Sequence, residues 1–174
     1  MKVINDFLPE HQFKGLQSYV MGEYFPWWYN TEVDFPNDNS YLDDYQFTHV
    51  FYADKGIEPF PEEESKYPDA VILDPISALL KINKPRRIKA NLLPRTENRI
   101  IFNFHNDIKE KETDYPGQTA IFYVNTNDGY TEFEDGTRVE SVANKIVIFD
   151  SKLKHRGTTC TNQKTRVVIN LNYV

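Results

Sequence analysis

From Arg87 to the C-terminus the chain is cut into short apolar runs by turn residues, and that spacing limits the folds open to it. The runs fall at 87–93, 100–104, 119–124, 130–133, 137–142, 144–149, 155–159 and 165–173. Rich in Val, Ile, Phe, Tyr and Thr, each reads as a strand. Glu134-Asp135-Gly136 is a hairpin signal between two of them. Eight short strands separated by turn signals predict a double-sheet jelly roll, also described as a double-stranded β-helix. The N-terminal half adds helices. Phe13, Leu16 and Val20 recur at helical spacing over 9–22, with Pro9 suited to the first turn and Gly22 as a stop. Ile76, Leu79 and Leu80 mark a second helix over 74–82, which Lys84-Pro85 breaks. Val3-Ile4 and 46–52 read as further strands. The expected class is mostly β (α+β), a jelly roll with N-terminal supporting helices, forming one domain over 1–174.

Composition narrows the function. A formal charge of −6, with no basic run beyond Pro85-Arg86-Arg87, argues against a nucleic-acid partner. The single cysteine, Cys160, cannot form an internal disulfide. The start, Met1-Lys2-Val3-Ile4-Asn5-Asp6, lacks a signal-peptide core, and no apolar run reaches the ~20 residues of a membrane helix. A soluble cytoplasmic protein is expected, with no membrane partner. No glycine-rich phosphate loop and no cysteine-based zinc signature is present.

The stretch that carries chemistry is Ile100-Ile101-Phe102-Asn103-Phe104-His105-Asn106-Asp107. It reads as the end of a buried strand, and residues i and i+2 of a strand share a face. His105 and Asp107 can therefore reach one small object. His155 follows the apolar run Lys145-Ile146-Val147-Ile148-Phe149. Two histidines and one carboxylate with open positions opposite make the facial triad of non-haem iron(II) oxygenases. Arg166 opens the last strand, eleven residues past His155, and is a fork suited to a carboxylate. A 2-oxo acid co-substrate with a distal carboxylate would need such a cation. His49, alone on an apolar strand, reads as a structural residue. The Phe25-Pro26-Trp27-Trp28-Tyr29 cluster is either a satellite core or an aromatic wall of a substrate channel, with 55–68 as an exposed loop beside it.

From Arg87 to Val174 the chain resembles the 2-oxoglutarate- and iron(II)-dependent dioxygenases, in particular the prolyl 4-hydroxylase-like branch and its small phage-carried members. The residues behind this are His105-Asn106-Asp107, Thr119-Ala120-Ile121-Phe122-Tyr123-Val124-Asn125, Asp128-Gly129-Tyr130-Thr131-Glu132-Phe133 and His155-Arg156-Gly157. Ile4-Asn5-Asp6-Phe7-Leu8 and Phe25-Pro26-Trp27 extend the likeness less specifically. The resemblance implies iron ligands His105, Asp107 and His155, and an Arg166 clamp on the co-substrate assisted by the Thr119 hydroxyl. It also implies iron(II), 2-oxoglutarate and dioxygen as the reacting set, ascorbate as a reductant, and a peptide or protein substrate, with peptidyl proline favoured. If phage-encoded, the protein would work in the host cytoplasm. Three positions depart from the branch: Arg166 stands for its lysine, Val167 for its tryptophan and Pro116 for its arginine. The last two belong to the substrate side. Oxidation of a nucleic-acid base or another side chain, and a non-catalytic jelly-roll binding module, are the alternatives.

Overall fold

The computed structural model describes residues 1–31, 33, 45–55, 65–107 and 117–174. Eleven strands and two α-helices appear in the order β1 (Lys2–Ile4), α1 (Glu10–Val20), β2 (Trp28–Asn30), β3 (Gln46–Ala53), β4 (Ser65–Lys66), α2 (Asp74–Leu80), β5 (Pro85–Pro94), β6 (Gln118–Tyr123), β7 (Tyr130–Phe133), β8 (Arg138–Glu140), β9 (Lys145–Asp150), β10 (His155–Gly157) and β11 (Thr165–Tyr173). The major sheet runs β1-β9-β6-β11-β5-β3-β2, with β4 paired to β3, and the minor sheet runs β10-β7-β8. Neighbours are antiparallel throughout. Strands distant in sequence lie side by side, as a jelly roll requires.

Two apolar clusters show why the sheets stack. On one face of the major sheet, Phe122, Ile146, Ile169 and Leu171 pack with Leu16 and Val20 of α1 and Ile76 of α2. Between the sheets, Ile121, Tyr123, Val147, Phe149 and Val168 meet Phe133 and Val139. Each such side chain, fully buried, contributes about 1.5–3 kcal/mol. Alternation assigns the faces: in β11, Val167, Ile169 and Leu171 enter the helix-side core, leaving Arg166, Val168, Asn170 and Asn172 for the inner face.

The expected elements are present with shifted ends. Helix α1 stops at Val20, and a Cβ on Gly22 would lie 2.8 Å from the Ser18 carbonyl oxygen, so glycine lets the chain turn away closely. A 3₁₀ turn over Pro68–Leu73 precedes α2, which ends at left-handed Lys81 (φ 56°) rather than at Lys84-Pro85. The one expected strand that does not form is 100–104. Its segment meets β10 and the residue after it through isolated bridges, Ile101 to Thr158 and His105 to His155, a Phe102 N–H bond to the Gly157 carbonyl (3.1 Å) and the Arg156 guanidinium over the Phe104 ring (4.2 Å), without forming a continuous ladder. Among its five residues only Phe102 is buried, so packing does not hold the run against the sheet along its length. No helix among the described residues is long and apolar enough to cross a membrane.

Candidate functional site

The inner face of the major sheet opens into a cleft lined by His105, Asp107 and His155, and also by Arg166. Two local devices bring the first three together. The backbone N–H of His105 donates to the carbonyl of His155 and the reverse bond returns, both at 3.0 Å, which sets the imidazoles side by side with centroids 4.9 Å apart. The chain then bends so that Asp107 joins them. One potential ligand atom from each residue lies within 4.8 Å of the other two, and Asp107 Oδ2 is 4.0 Å from His155 Nε2.

The imidazoles are oriented for ligation. Nδ1 of His105 lies 3.1 Å from the Asn103 carbonyl oxygen, and Nδ1 of His155 lies 3.3 Å from that of Leu153. A carbonyl oxygen only accepts, so each Nδ1 carries a proton, which leaves Nε2 of the neutral ring as the atom able to ligate. The His155 ring is held against Phe149 (4.9 Å) and Phe133 (6.2 Å).

Asp107 has a side chain only 5% exposed. Its Oδ2 accepts from Asn172 Nδ2 at 3.0 Å and its Oδ1 from Asn170 Nδ2 at 3.5 Å. Arg87 donates to its backbone carbonyl at 3.0 Å and stands 3.6 Å from Oδ1. Burial alone would raise the carboxyl pKa, but His155, Arg87 and His105, with the Asn172 amide, hold it far below the usual carboxylate range. The group is an anion at any working pH.

Arg166 is 3% exposed. Its Nε donates to Ser141 Oγ at 2.9 Å and its Nη2 to Thr131 Oγ1 at 3.2 Å, and the guanidinium sits 5.9 Å from the centre of the Tyr123 ring. Gly129 makes room for it, since a Cβ there would fall 2.6 Å from Arg166 Cδ. Among the described residues no carboxylate pairs with this buried cation. Burial pulls the guanidinium down from its ordinary value, with Tyr123 and Cys160 opposing, yet arginine stays charged. Burial also pushes the Tyr123 phenol up to about 12, so it remains neutral while donating to Thr131 Oγ1 at 2.9 Å.

Thr119 is not brought to Arg166. It pairs with Asn172 across β6 and β11 and accepts from that residue's amide at 3.0 Å. Arg166 lies six residues from Asn172 along the strand, roughly 20 Å away. The hydroxyls beside Arg166 belong instead to Thr131 and Ser141. These two, with Arg87, Asn170 and Asn172, are the site residues that sequence reading missed. A signal existed for the asparagines, because Asn170 and Asn172 repeat the two-residue period of Arg166 through an otherwise apolar strand. His49 lies on the opposite face, 1% exposed, between the Pro26 carbonyl (3.0 Å) and Asp69 (3.2 Å), as a structural residue would. The aromatic cluster divides. Trp27 packs against the helix-side core. Trp28, 62% exposed, lies in register with Thr48, which lies in register with cleft-lining Asn91. The loop expected at 55–68 falls largely outside the described residues.

No protein-family model and no curated protein matches the sequence. Solved structures do match. The chain is similar to a prolyl hydroxylase from Trichoplax adhaerens, solved in complex with a hypoxia inducible factor oxygen degradation domain peptide, with TM-score 0.62 and 12% identity over 99% of this chain and 82% of that one. It is similar to a prolyl-4-hydroxylase from Pseudomonas putida, with TM-score 0.60 and 15% identity over 99% and 91%. A Burkholderia pseudomallei oxidoreductase of the 2OG-Fe(II) oxygenase family matches with TM-score 0.61 and 9% identity over 98% and 83%. At these identities the likeness establishes the fold alone, the jelly roll that this chain shares with those structures.

Proposed function

We propose that the protein is a 2-oxoglutarate- and iron(II)-dependent dioxygenase that hydroxylates a peptidyl proline. One observation carries the reading: a His-Asp-His cluster and a buried arginine that has no carboxylate partner among the described residues line one cleft. The donor set suits iron(II), with two imidazole lone pairs and one carboxylate. His105, Asp107 and His155 would hold the ion, and Arg166 the distal carboxylate of 2-oxoglutarate. Bound iron(II) supplies dioxygen activation, coupling co-substrate decarboxylation to succinate and carbon dioxide with hydroxylation of an aliphatic carbon.

The chain's own residues prepare that chemistry. The carbonyls of Asn103 and Leu153 fix the imidazole tautomers, and Arg87, Asn170 and Asn172 hold the carboxylate. Such partners typically govern 10–100-fold of metal affinity. Apolar Val168, two residues along β11 from Arg166, and Ile121 further down the cleft reduce the local dielectric and strengthen its hold on an anion. The prolyl hydroxylases among the structural neighbours support proline as the target, and so does exposed Trp28, a face on which an aliphatic ring packs.

Anaerobic titration with iron(II) and then 2-oxoglutarate tests the reading. The expected result is a weak visible metal-to-ligand absorption that saturates with 2-oxoglutarate. Its absence in folded protein would overturn the assignment. Mass spectrometry of proline peptides incubated with iron(II), 2-oxoglutarate and ascorbate should then show a gain of one oxygen on proline.

A further inference from the structure

The segment that carries His105 is one residue longer than the stretch it faces. Its bridges are Ile101 to Thr158 and His105 to His155, so four steps of chain (101 to 105) run against three (158 to 155). A bulge of this kind interrupts the ladder, and beside a site it decides where a side chain aims. The hazard is specific. A slip of one residue turns side chains to the opposite face, which would carry the His105 imidazole out of the cleft and Phe104 into it.

A side-chain clamp on the outer face opposes that slip. The antiparallel His105–His155 bridge sets Phe104 against Arg156, and alternation turns both away from the imidazoles. The Arg156 guanidinium lies over the Phe104 ring, 4.2 Å from its centre. Glu132, its register partner on β7, holds it there: Arg156 Nε donates to Glu132 Oε2 at 2.7 Å, and Nη2 stands 2.6 Å from the same oxygen. The other oxygen, Oε1, accepts from Arg138 Nε at 2.7 Å, so this nearly buried carboxylate is pinned from both sides. Arg138 in turn lies over the Tyr130 ring at 4.6 Å, and Arg99 lies over that ring at 5.5 Å. Both ends of 99–104 are thus fastened to the outside of the minor sheet by contacts between a guanidinium and a ring. Such contacts strengthen as water is excluded, and the Arg156 side chain is only 28% exposed.

We infer that Arg156, held by Glu132, is a positioning residue for the metal site: by covering Phe104 it fixes the register that keeps the His105 imidazole beside that of His155. It acts through Phe104 and the backbone, from outside the cleft. This deepens the oxygenase reading and rests on it for the ion that the imidazoles serve.

The test uses manganese(II), which takes nitrogen and oxygen donors, as the probe. Its binding to the folded protein is followed by loss of the free-ion signal in electron paramagnetic resonance. Phe104→Leu keeps apolar bulk and removes the ring face; it should weaken binding roughly 10- to 100-fold, the usual range for a group that orients a ligand. Arg156→Gln should do the same, and the double variant should lose no more than either single change, as coupled neighbours do. Phe104→Tyr restores a ring face and should bind as wild type does. Val20→Ala, in the helix-side core, lowers the melting temperature far from the cleft and should leave the manganese affinity unchanged. Wild-type affinity in Phe104→Leu overturns the inference, as does Phe104→Tyr binding as weakly as Phe104→Leu. It is also overturned if Val20→Ala weakens binding as much as Phe104→Leu, because the loss then follows stability and not register. If Arg156→Gln fails to fold by circular dichroism, the two Phe104 variants still decide. Manganese binding that is indifferent to Phe104 removes this inference alone, whereas wild type that binds no manganese removes the oxygenase reading and this inference with it.

Discussion

At one end of the cleft Asp107 is an anion already surrounded by partners; at the other, Arg166 is a cation held, among the described residues, by neutral groups. Two asparagine amides, Arg87 and two imidazoles face the carboxylate. Two hydroxyls and a phenol ring face the guanidinium. Burying an ion costs several kcal/mol unless something opposite compensates it. Asp107 is compensated by the fold itself. Arg166 is not, and an incoming anion is what would compensate it. The first end is thus preorganised without a ligand, whereas the second draws a ligand by relieving a cost.

The largest effect should come from breaking the organised end. His105→Ala is expected to abolish 2-oxoglutarate turnover and the iron-dependent absorption while the protein stays folded, because that ring is only partly buried. His155→Ala should do the same but also lower stability by about 1–3 kcal/mol, since its ring is packed against Phe133 and Phe149. Succinate assay and thermal melts check both, and full turnover in either variant removes that residue from the ligand set.

Breaking the other end should leave iron binding intact and act on the co-substrate. Arg166→Ala should raise the 2-oxoglutarate KM by roughly 30-fold to a few thousand-fold, the equivalent of 2–5 kcal/mol. Arg166→Lys should be milder, keeping charge without the fork. A smaller effect at the same end is expected from Gly129→Ala. Its Cβ would press on Arg166 Cδ, so the KM should rise roughly tenfold, about 1.4 kcal/mol, with no change in iron affinity. An unchanged KM in both Arg166→Ala and Gly129→Ala would move the clamp elsewhere.

The smallest expected effect concerns the approach to Arg166. Asp128 binds the Thr161 hydroxyl and the amides of Thr161 and Asn162, tying down the turn before β11. Burial opposes its ionisation, but these bonds and Arg99 hold its pKa at about 2. Being lower folded than unfolded, it contributes stability that is full above the ordinary carboxylate range and is lost as pH falls toward 2. Asp128→Asn should therefore cost about 1 kcal/mol near neutrality, after allowing for solvent screening, and almost nothing at pH 2. Denaturant melts at both pH values measure the difference.

Much of this architecture was readable before any coordinates. The strand expected at 165–173 is β11, and the Glu134-Asp135-Gly136 hairpin joins β7 to β8. Both rest on local signals, alternation and turn chemistry, which survive tertiary context. The cluster of His105, Asp107 and His155 was anticipated from spacing, though the reason differs. Alternation along a strand was to align His105 with Asp107, whereas a backbone bridge to His155 and a bend bring them together. An apolar run at a sheet margin looks like a buried strand in sequence, because sequence does not say which runs have a neighbour on both sides. Thr119 shows the same limit. Its distance from Arg166 follows from the β6–β11 register, which no single segment encodes.

The mutual bridge between His105 and His155 has a further consequence. Both histidines belong to the minor-sheet side, while Asp107 is gripped by Arg87 of β5 and by Asn170 and Asn172 of β11, all on the major sheet. An ion held by all three is a staple through the sandwich, fastening the 101–105 segment, which has only two bridges of its own. Stability becomes a readout of occupancy: at a hundredfold excess over Kd, binding adds about 2.7 kcal/mol, a rise in Tm of roughly 5–11 °C for a chain of this size. Amide exchange at Phe102 and His105 should slow with it, marking the edge of the minor sheet as the part of the molecule that closes last.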